Sequence, residues 1–210
     1  MGKPKLLLLD MDEVLVDYSH TIRCRVLAEF SGATEKYVHE AVFSSGLEAR
    51  SDRGEFDLDT YMDLLRSEWG LSIPGEAFIA ARKQATRVRP GVVKICEQLS
   101  GQVQLGVFSN NAHWLYQNAE QIVPELMPLF RSRFVCSGSL GTAKPEEFAF
   151  TQCLQRLGFA PYSTLFVDDK HRNVEGAKQA GLDAFVFENE NQFISELMLR
   201  DLKLGAFNAY

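Results

Sequence analysis

The chain has 210 residues, 46% hydrophobic and 24% charged, enough for one full core plus a small insertion in a globular protein of ordinary composition. Acidic residues outnumber basic ones by 28 to 22, for a net charge of −6. That argues against a nucleic-acid binder, which would carry a broad basic face, but leaves room for a local basic pocket. No apolar run approaches a membrane span, and "LLLL" after "GKPK" is too short for the core of a signal peptide. Cys24, Cys96, Cys136 and Cys153 lie far apart without CxxC spacing and read as reduced thiols of a cytoplasmic protein.

The first predicted strand, Leu6–Leu9, runs straight into Asp10, Asp12, Glu13 and Asp17. From about Asp17 to Val88 the signals are helical, with no convincing strand. "SHTIRCRVLAEF" places Ile22, Val26, Leu27 and Phe30 on one stripe. "TEKYVHEAVF" begins at a capping Thr34, and "DLDTYMDLLRSEWG" carries Tyr61, Leu64, Leu65 and Trp69 and stops at Gly70. "PGEAFIAARKQA" opens with proline, as helices often do. Near Pro90 the pattern changes. Strands at Val103–Phe108, Arg133–Cys136, Thr164–Val167 and Ala184–Phe187 alternate with the helical stretches "PGVVKICEQLSG", "AHWLYQNAEQIV", "KPEEFAFTQCLQRLGF" and "NVEGAKQAGL". In the third stretch Phe148, Cys153, Leu154 and Leu157 fall near helical spacing, with Gly158 as the stop. The alternation predicts an α/β fold, a Rossmann-like doubly wound parallel sheet covered on both faces. Residues 1–16 and 89–210 then form the core, and residues 17–88 a helical insertion after the first strand. Open α/β sheets bind ligands at the C-terminal ends of their strands, so this insertion is a candidate lid.

The polar groups at those strand ends form an ordered set. Asp10-Met-Asp12 ends the first strand, Ser109-Asn110-Asn111 the second and Asp168-Asp169-Lys170 the fourth, while Lys144-Pro145 opens the helix before the fourth. Alone each is weak, because SN and KP are common dipeptides; together they are specific. Residues two apart on a strand share a face, so Asp10 and Asp12 can address one substrate, one as nucleophile and the other as proton donor and acceptor. Asp168 and Asp169 add hard oxygen ligands that, with Asp10, suit Mg²⁺. Such a cation lets so many carboxylates coexist beside a buried strand. Ser109, nearby backbone N–H groups and Lys144 can hold phosphate oxygens.

With these motifs in place the chain resembles the haloacid dehalogenase-like (HAD) hydrolase superfamily over essentially its whole length. "LLLLDMDEV" resembles the first motif, "LGVFSN" the second, "KP" the third and "TLFVDD" the fourth, and the helical insertion resembles the small cap that follows the first motif. "SGLEARSDRGEFDLDTYMDLL" and "FSNNAHWLY" are similar to the branch holding glucose-1-phosphate-type phosphatases and the phosphatase domains of epoxide hydrolases. The resemblance implies Asp10 as the nucleophile and Asp12 as the general acid/base, with the Asp12 backbone carbonyl on the metal. It implies Ser109 and Asn110 as phosphate binders and Lys144 as the lysine that steadies nucleophile and phosphoryl group. Asp169 becomes the principal metal acid, Asp168 shares or supports that role, and Asn173 lies where relatives place another supporting acid or amide. Two positions depart from the pattern: Glu13 stands where glycine is usual, and Arg172 where an acid is frequent.

The expected activity is therefore a Mg²⁺-dependent phosphomonoesterase for a small phosphorylated metabolite such as a sugar phosphate, with neither nucleic acid nor membrane as partner. A phosphomutase, a haloacid-type dehalogenase and a non-catalytic binding module are the alternatives. Glu13 and Asp17 read as peripheral, and His113, Trp114 and His171 as packing or surface groups. Arg50 and Arg53, among Glu48, Asp52 and Glu55, read as a solvated face of the insertion, with substrate contact as the alternative.

Overall fold

A computed structural model describes residues 2–205. In chain order, β1 (Leu6–Leu9) and β2 (Val16–Tyr18) lead into α1 (His20–Ser31), α2 (Glu35–His39), α3 (Leu47–Asp52), α4 (Leu58–Trp69) and α5 (Gly75–Gln84). Next come β3 (Thr86–Val88), α6 (Pro90–Leu99), β4 (Gln104–Ser109) and the short helices α7 (His113–Gln117), α8 (Ala119–Ile122) and α9 (Met127–Phe130). The chain closes with β5 (Phe134–Cys136), α10 (Glu147–Leu157), β6 (Thr164–Asp168), α11 (His171–Gln179), β7 (Asp183–Val186) and α12 (Glu190–Met198).

Five strands form one parallel sheet in the order β5-β4-β1-β6-β7. β1 is central because all four of its leucines are apolar. Leu7 and Leu9 enter the core on one side of the sheet, Leu6 and Leu8 the core on the other, and each is 0% exposed. A strand covered on both faces has no polar alternation to show. β1 pairs in parallel with β4 (Leu6 opposite Gln104) and with β6 (Leu6 opposite Thr164). From β1 the chain winds outward through β4 to β5, then returns to lay β6 and β7 on the other flank. The strand order thus reverses at β1, and the tips of β4, β1 and β6 lie side by side there, where this architecture binds ligands.

Several expectations are adjusted. Residues 17–88 are mostly helical, but β2 and β3 bracket the helices as an antiparallel pair, Val16 opposite Val88 and Tyr18 opposite Thr86. Strands of three residues are too short to display a period of two. "AHWLYQNAEQIV" breaks into α7 and α8 at Asn118, where φ is −111°. Phe30 and Phe148 are 55% and 61% exposed, and Arg23 and Phe150 take the buried positions on their helices. α10 begins at Glu147, so Lys144 lies before the helix, its bond to Pro145 is cis, and it is 3% exposed. The predicted caps behave as expected: Thr34 Oγ1 accepts the Tyr37 N–H at 3.2 Å, and Gly70 and Gly158 end their helices at φ +64° and +77°. No helix among the described residues is long and apolar enough to cross a membrane.

Candidate active site

Asp10 emerges from β1 with its N–H on the Val167 carbonyl at 2.8 Å, so its backbone still belongs to the sheet. Its side chain is buried, and both donors to it fall on Oδ1: the Met11 N–H at 2.7 Å and Lys144 Nζ at 3.0 Å. Lys144 Nζ also donates to Asp168 Oδ2 at 2.7 Å and to the Phe108 carbonyl at 2.9 Å. One fully buried ammonium therefore ties the tips of β1, β4 and β6 together. Burial alone would lower the Lys144 pKa, but the neighbouring Asp10 and Asp168 carboxylates raise it above the ordinary value.

Two side chains place that lysine. Asn110 clamps its backbone, Nδ2 donating to the Lys144 carbonyl at 2.8 Å and Oδ1 accepting the Lys144 N–H at 2.9 Å. Asn173 Nδ2 lies 2.9 and 3.0 Å from the two Asp168 oxygens, and the Lys170 N–H adds 2.9 Å to Oδ1. Burial pushes the Asp168 pKa up, yet Lys144 and these donors hold it below the usual carboxylate range. A Cβ at Gly176 would stand 2.1 Å from the Pro145 carbonyl oxygen, so α11 packs directly on the segment that carries Lys144.

Asp12 turns to the other side. Asn111 Nδ2 reaches its Oδ2 at 3.1 Å and also donates to Ser109 Oγ at 2.7 Å, so the polar ends of β1 and β4 form one network. Arg82 Nη2, from α5, reaches Asp12 Oδ1 at 2.5 Å. The helical segment is seated over this edge. The Asp52 carbonyl accepts from Ser137 Oγ at 2.6 Å, a Cβ on Gly54 would meet the Gly138 carbonyl oxygen at 2.2 Å, and Arg53 pairs with Glu146 at 2.6 Å. Arg50 pairs with Glu55 in solvent.

Glu13, in the position where glycine is usual, has φ +62°. A side chain there costs about 1–2 kcal/mol of backbone strain. It is offset locally: Glu13 Oε1 accepts the Tyr18 N–H at 3.0 Å, Oε2 pairs with Arg89 at 2.9 Å, and the Glu13 carbonyl accepts from Arg89 as well. Asp17 completes the Arg89 cluster, and Arg172 is exposed. His113 and His171 are exposed, while Trp114 packs on Phe78 at 5.5 Å.

Carboxylate oxygens of Asp10, Asp168 and Asp169 lie within 4.8 Å of one another. Three points fit a cation there. Asp169 Oδ1 is buried without a hydrogen-bond partner. Burial pushes the Asp169 pKa up and pushes that of Asp10 well above the ordinary value, with Lys144 only partly compensating. Four carboxylates, with Asp12, face two cationic side chains, Lys144 and Arg82, which leaves room for a divalent charge. Hard oxygens in this number match Mg²⁺. The Asp168 oxygens are already engaged by Lys144, Asn173 and Lys170, so Asp169 is the freer ligand.

A model of the haloacid dehalogenase-like hydrolase family matches residues 4–181. This chain belongs to that family. Mouse acyl-CoA dehydrogenase family member 10 is 27% identical over 132 residues, which cover 60% of this chain and only 12% of the mouse protein. A HAD family enzyme of Bacteroides thetaiotaomicron, solved with magnesium and inorganic phosphate, superposes with a TM-score of 0.74 at 18% identity, over 88% of this chain and 94% of that one. A 2-haloacid dehalogenase of Pseudomonas syringae superposes with a TM-score of 0.67 at 20% identity, over 95% and 99%. At these identities the likeness carries the HAD fold, which is shared by enzymes of different chemistry.

The structure brings together Asp10, Asp12, Ser109, Lys144, Asp168, Asp169 and Asn173. The Asn110 side chain is spent on the Lys144 backbone, leaving only its N–H for a phosphate. Sequence reasoning named Asn111 at the end of the second strand without giving it a role, and it missed Arg82. Arg82 had a signal: it falls in phase with Ala77, Phe78, Ala81 and Ala85, the buried stripe of α5.

Proposed function

We propose that the chain is a Mg²⁺-dependent phosphomonoesterase that acts on a small phosphorylated metabolite, such as a sugar phosphate, through an aspartyl-phosphate. One observation carries this reading: buried Asp10, held by Lys144 at 3.0 Å, stands two residues from a second carboxylate, Asp12, whose side chain is 21% exposed. A nucleophile and a separate proton-transfer group at one strand tip are what phosphate-ester hydrolysis requires.

Asp10 attacks phosphorus and the ester oxygen leaves, taking a proton from Asp12. A water molecule then attacks the phosphoaspartate, losing its proton to Asp12, and Asp10 is released. Lys144, the Ser109 hydroxyl and the Asn110 N–H hold the phosphoryl oxygens and offset charge as it develops. Asp10, Asp169 and the Asp12 carbonyl would hold Mg²⁺, with Asp168 supporting them; bound there, the ion supplies positive charge to the phosphoryl group. Residues 17–88 act as a lid, which limits entry to small substrates and excludes bulk water. Four free, buried cysteines suit a reducing cytoplasm.

Dehalogenase chemistry also starts from an aspartate, and a neighbour of this fold is a dehalogenase. Displacing halide from carbon needs neither a proton for an alkoxide nor this many carboxylates, which favours the phosphatase reading. Phosphate release from p-nitrophenyl phosphate, with Mg²⁺ and then with EDTA, run beside halide release from a 2-haloalkanoate, is the test. EDTA-sensitive phosphate release is expected; halide release alone would replace this reading. A panel of phosphorylated metabolites, phosphopeptides and oligonucleotides then reads substrate size, and turnover of the large substrates alone would remove the lid from the account.

A further inference from the structure

Asp12 receives its two donors from different parts of the molecule. Asn111 comes from the β4 edge, and Arg82 comes from the last helix before β3. The Arg82 side chain is 1% exposed although its partner is 21% exposed. Arginine is almost never buried so completely without a structural reason.

That reason lies behind it. The Arg82 guanidinium carbon stands 3.6 Å from the centroid of the Tyr18 ring. Tyr18 Oη accepts from Arg23 Nη1 at 2.7 Å, Arg23 is paired with Glu48, and Glu48 Oε2 accepts from the Tyr61 hydroxyl at 2.8 Å. Arg23 is itself 1% exposed, its guanidinium carbon 4.5 Å from the centroid of the Phe78 ring. A chain of fixed contacts thus runs from α4 through α3, α1, β2 and α5 to the carboxylate of Asp12. Each arginine charge is already answered, Arg23 by Glu48 and Arg82 by Asp12, so no second anion on a substrate is needed to explain them.

We propose that Arg82 is a positioning residue for Asp12. It fixes the carboxylate so that Asp12 accepts the proton of the water that hydrolyses the phosphoaspartate. This rests on the phosphomonoesterase reading. After giving its proton to the leaving oxygen, Asp12 enters the second half-reaction as a carboxylate, and a carboxylate with a donor on each oxygen is the species these contacts suit. In that step the water oxygen bonds to phosphorus, the bond from phosphorus to the Asp10 oxygen breaks, and the water proton goes to Asp12. Arg82 gives up no proton and touches no reacting atom. Its contact couples the step to the seating of the helical segment.

The test is rapid mixing of Arg82→Gln and Arg82→Lys with p-nitrophenyl phosphate and Mg²⁺. Nitrophenolate leaves with little help, so phosphoenzyme formation survives and its breakdown becomes limiting. The expected result is a burst of nitrophenol near one per site, followed by a steady rate roughly 10- to 100-fold below wild type, the scale of a misplaced catalytic group. Arg82→Lys should fall between Arg82→Gln and wild type. Should Arg82→Gln fail to fold, the neutral pair Asp12→Asn/Arg82→Gln is compared with Asp12→Asn: a residue acting only through Asp12 adds no further loss. A burst reduced in proportion to the steady rate, an unchanged steady rate, or a further loss in the double variant would each overturn the proposal. Wild-type protein that neither releases nitrophenol nor forms a phosphoenzyme removes the phosphatase reading itself, and that result is seen before any substitution is made.

Discussion

Two groups of buried charge meet at the strand tips, and they differ in kind. Around Lys144, the carboxylates of Asp10, Asp168 and Asp169 share one ammonium, and a buried Asp169 oxygen has no partner. In the helical segment, Arg23 is paired with Glu48 and Arg82 with Asp12, while Nε of each arginine is buried without a hydrogen-bond partner and burial beside Glu48 pushes the Asp52 pKa well above the ordinary value. Unmatched charge in a low-dielectric site is unstable until something binds. Charge paired in this way holds geometry. The first group is therefore suited to taking up a cation, the second to keeping Asp12 in place.

Asp10→Asn breaks the first group most directly. Turnover should fall by on the order of 10³-fold or more, as when a covalent nucleophile is removed, and no labelled phosphoenzyme should be trapped. The same change should not weaken the metal-free fold. Burial holds the Asp10 pKa well above its unfolded value. Ionised Asp10 thus costs stability, a loss that sets in as pH rises through the unfolded value and is complete only above the folded one. The amide relieves it, so the melting temperature with EDTA should hold or rise, by about 2–4 °C for each kcal/mol regained in a chain of this size. Mg²⁺ should raise the melting temperature of wild type more than that of the variant. A metal-free Asp10→Asn protein that melts well below wild type would contradict the unmatched-charge account.

The pair in the fourth motif separates metal from scaffold. Asp169→Ala should raise the Mg²⁺ concentration needed for activity more than Asp168→Ala does, while leaving stability nearly unchanged. Asp168→Ala strips Lys144 and Asn173 of their shared acceptor, and breaking a buried pair typically costs about 3–5 kcal/mol. The folded Asp168 pKa is depressed, so its contribution is present above the unfolded value of about 3.9 and is lost as pH falls through the lower folded value. Denaturation curves should therefore show the gap between wild type and Asp168→Ala closing in acid. A reversed ranking in Mg²⁺ titrations would exchange the two roles.

Gly176→Ala probes the packing that places Lys144. The added Cβ would stand 2.1 Å from the Pro145 carbonyl oxygen, and relieving such overpacking costs about 1–3 kcal/mol. If α11 positions the lysine, turnover should fall along with stability. Lost stability with unchanged turnover would make Gly176 a packing residue only.

The two groups also differ in how far sequence exposes them. The first sits at the ends of β1, β4 and β6, elements announced by apolar runs, and its residues follow those runs at once. β1 was legible to the residue because both its faces are buried, and Asp10, Ser109 and Asp168 came with it. Lys144 was legible by motif but not by environment, since its burial depends on where α11 packs. The second group depends on Tyr18, Arg23, Glu48, Tyr61 and Arg82, which are distant in sequence; Tyr61 is legible as part of an apolar stripe, but the three charged residues are ordinary surface residues by type. Arg23 and Arg82 lie in phase with apolar stripes, a signal that a count of hydrophobic residues passes over. β2 and β3, which bring Tyr18 and Arg82 toward Asp12, are too short to be seen as strands.

The smallest effect is expected where the helical segment meets the core in solvent. Arg53 pairs with Glu146 at 2.6 Å, but the side chains are 45% and 43% exposed, and pairs of that kind contribute about 0–1 kcal/mol. Hydrogen bonds from Arg53 and Thr142 hold the Glu146 pKa below its ordinary value, so the pair is intact at neutral pH and open to screening by salt. Arg53→Ala should change the melting temperature by no more than about 2–4 °C, the shift for 1 kcal/mol at this size. Its consequence should fall on substrate entry: KM for p-nitrophenyl phosphate rising by less than about fivefold, the equivalent of 1 kcal/mol, and kcat holding. Added salt should shrink the difference from wild type. The backbone contacts nearby, Asp52 with Ser137 and Gly54 against Gly138, keep the segment seated without Arg53. Should Arg53→Ala lower kcat as far as Arg82→Gln does, the seating of the helical segment rests on its exposed rim rather than on its buried network, and the contrast between the two groups fails.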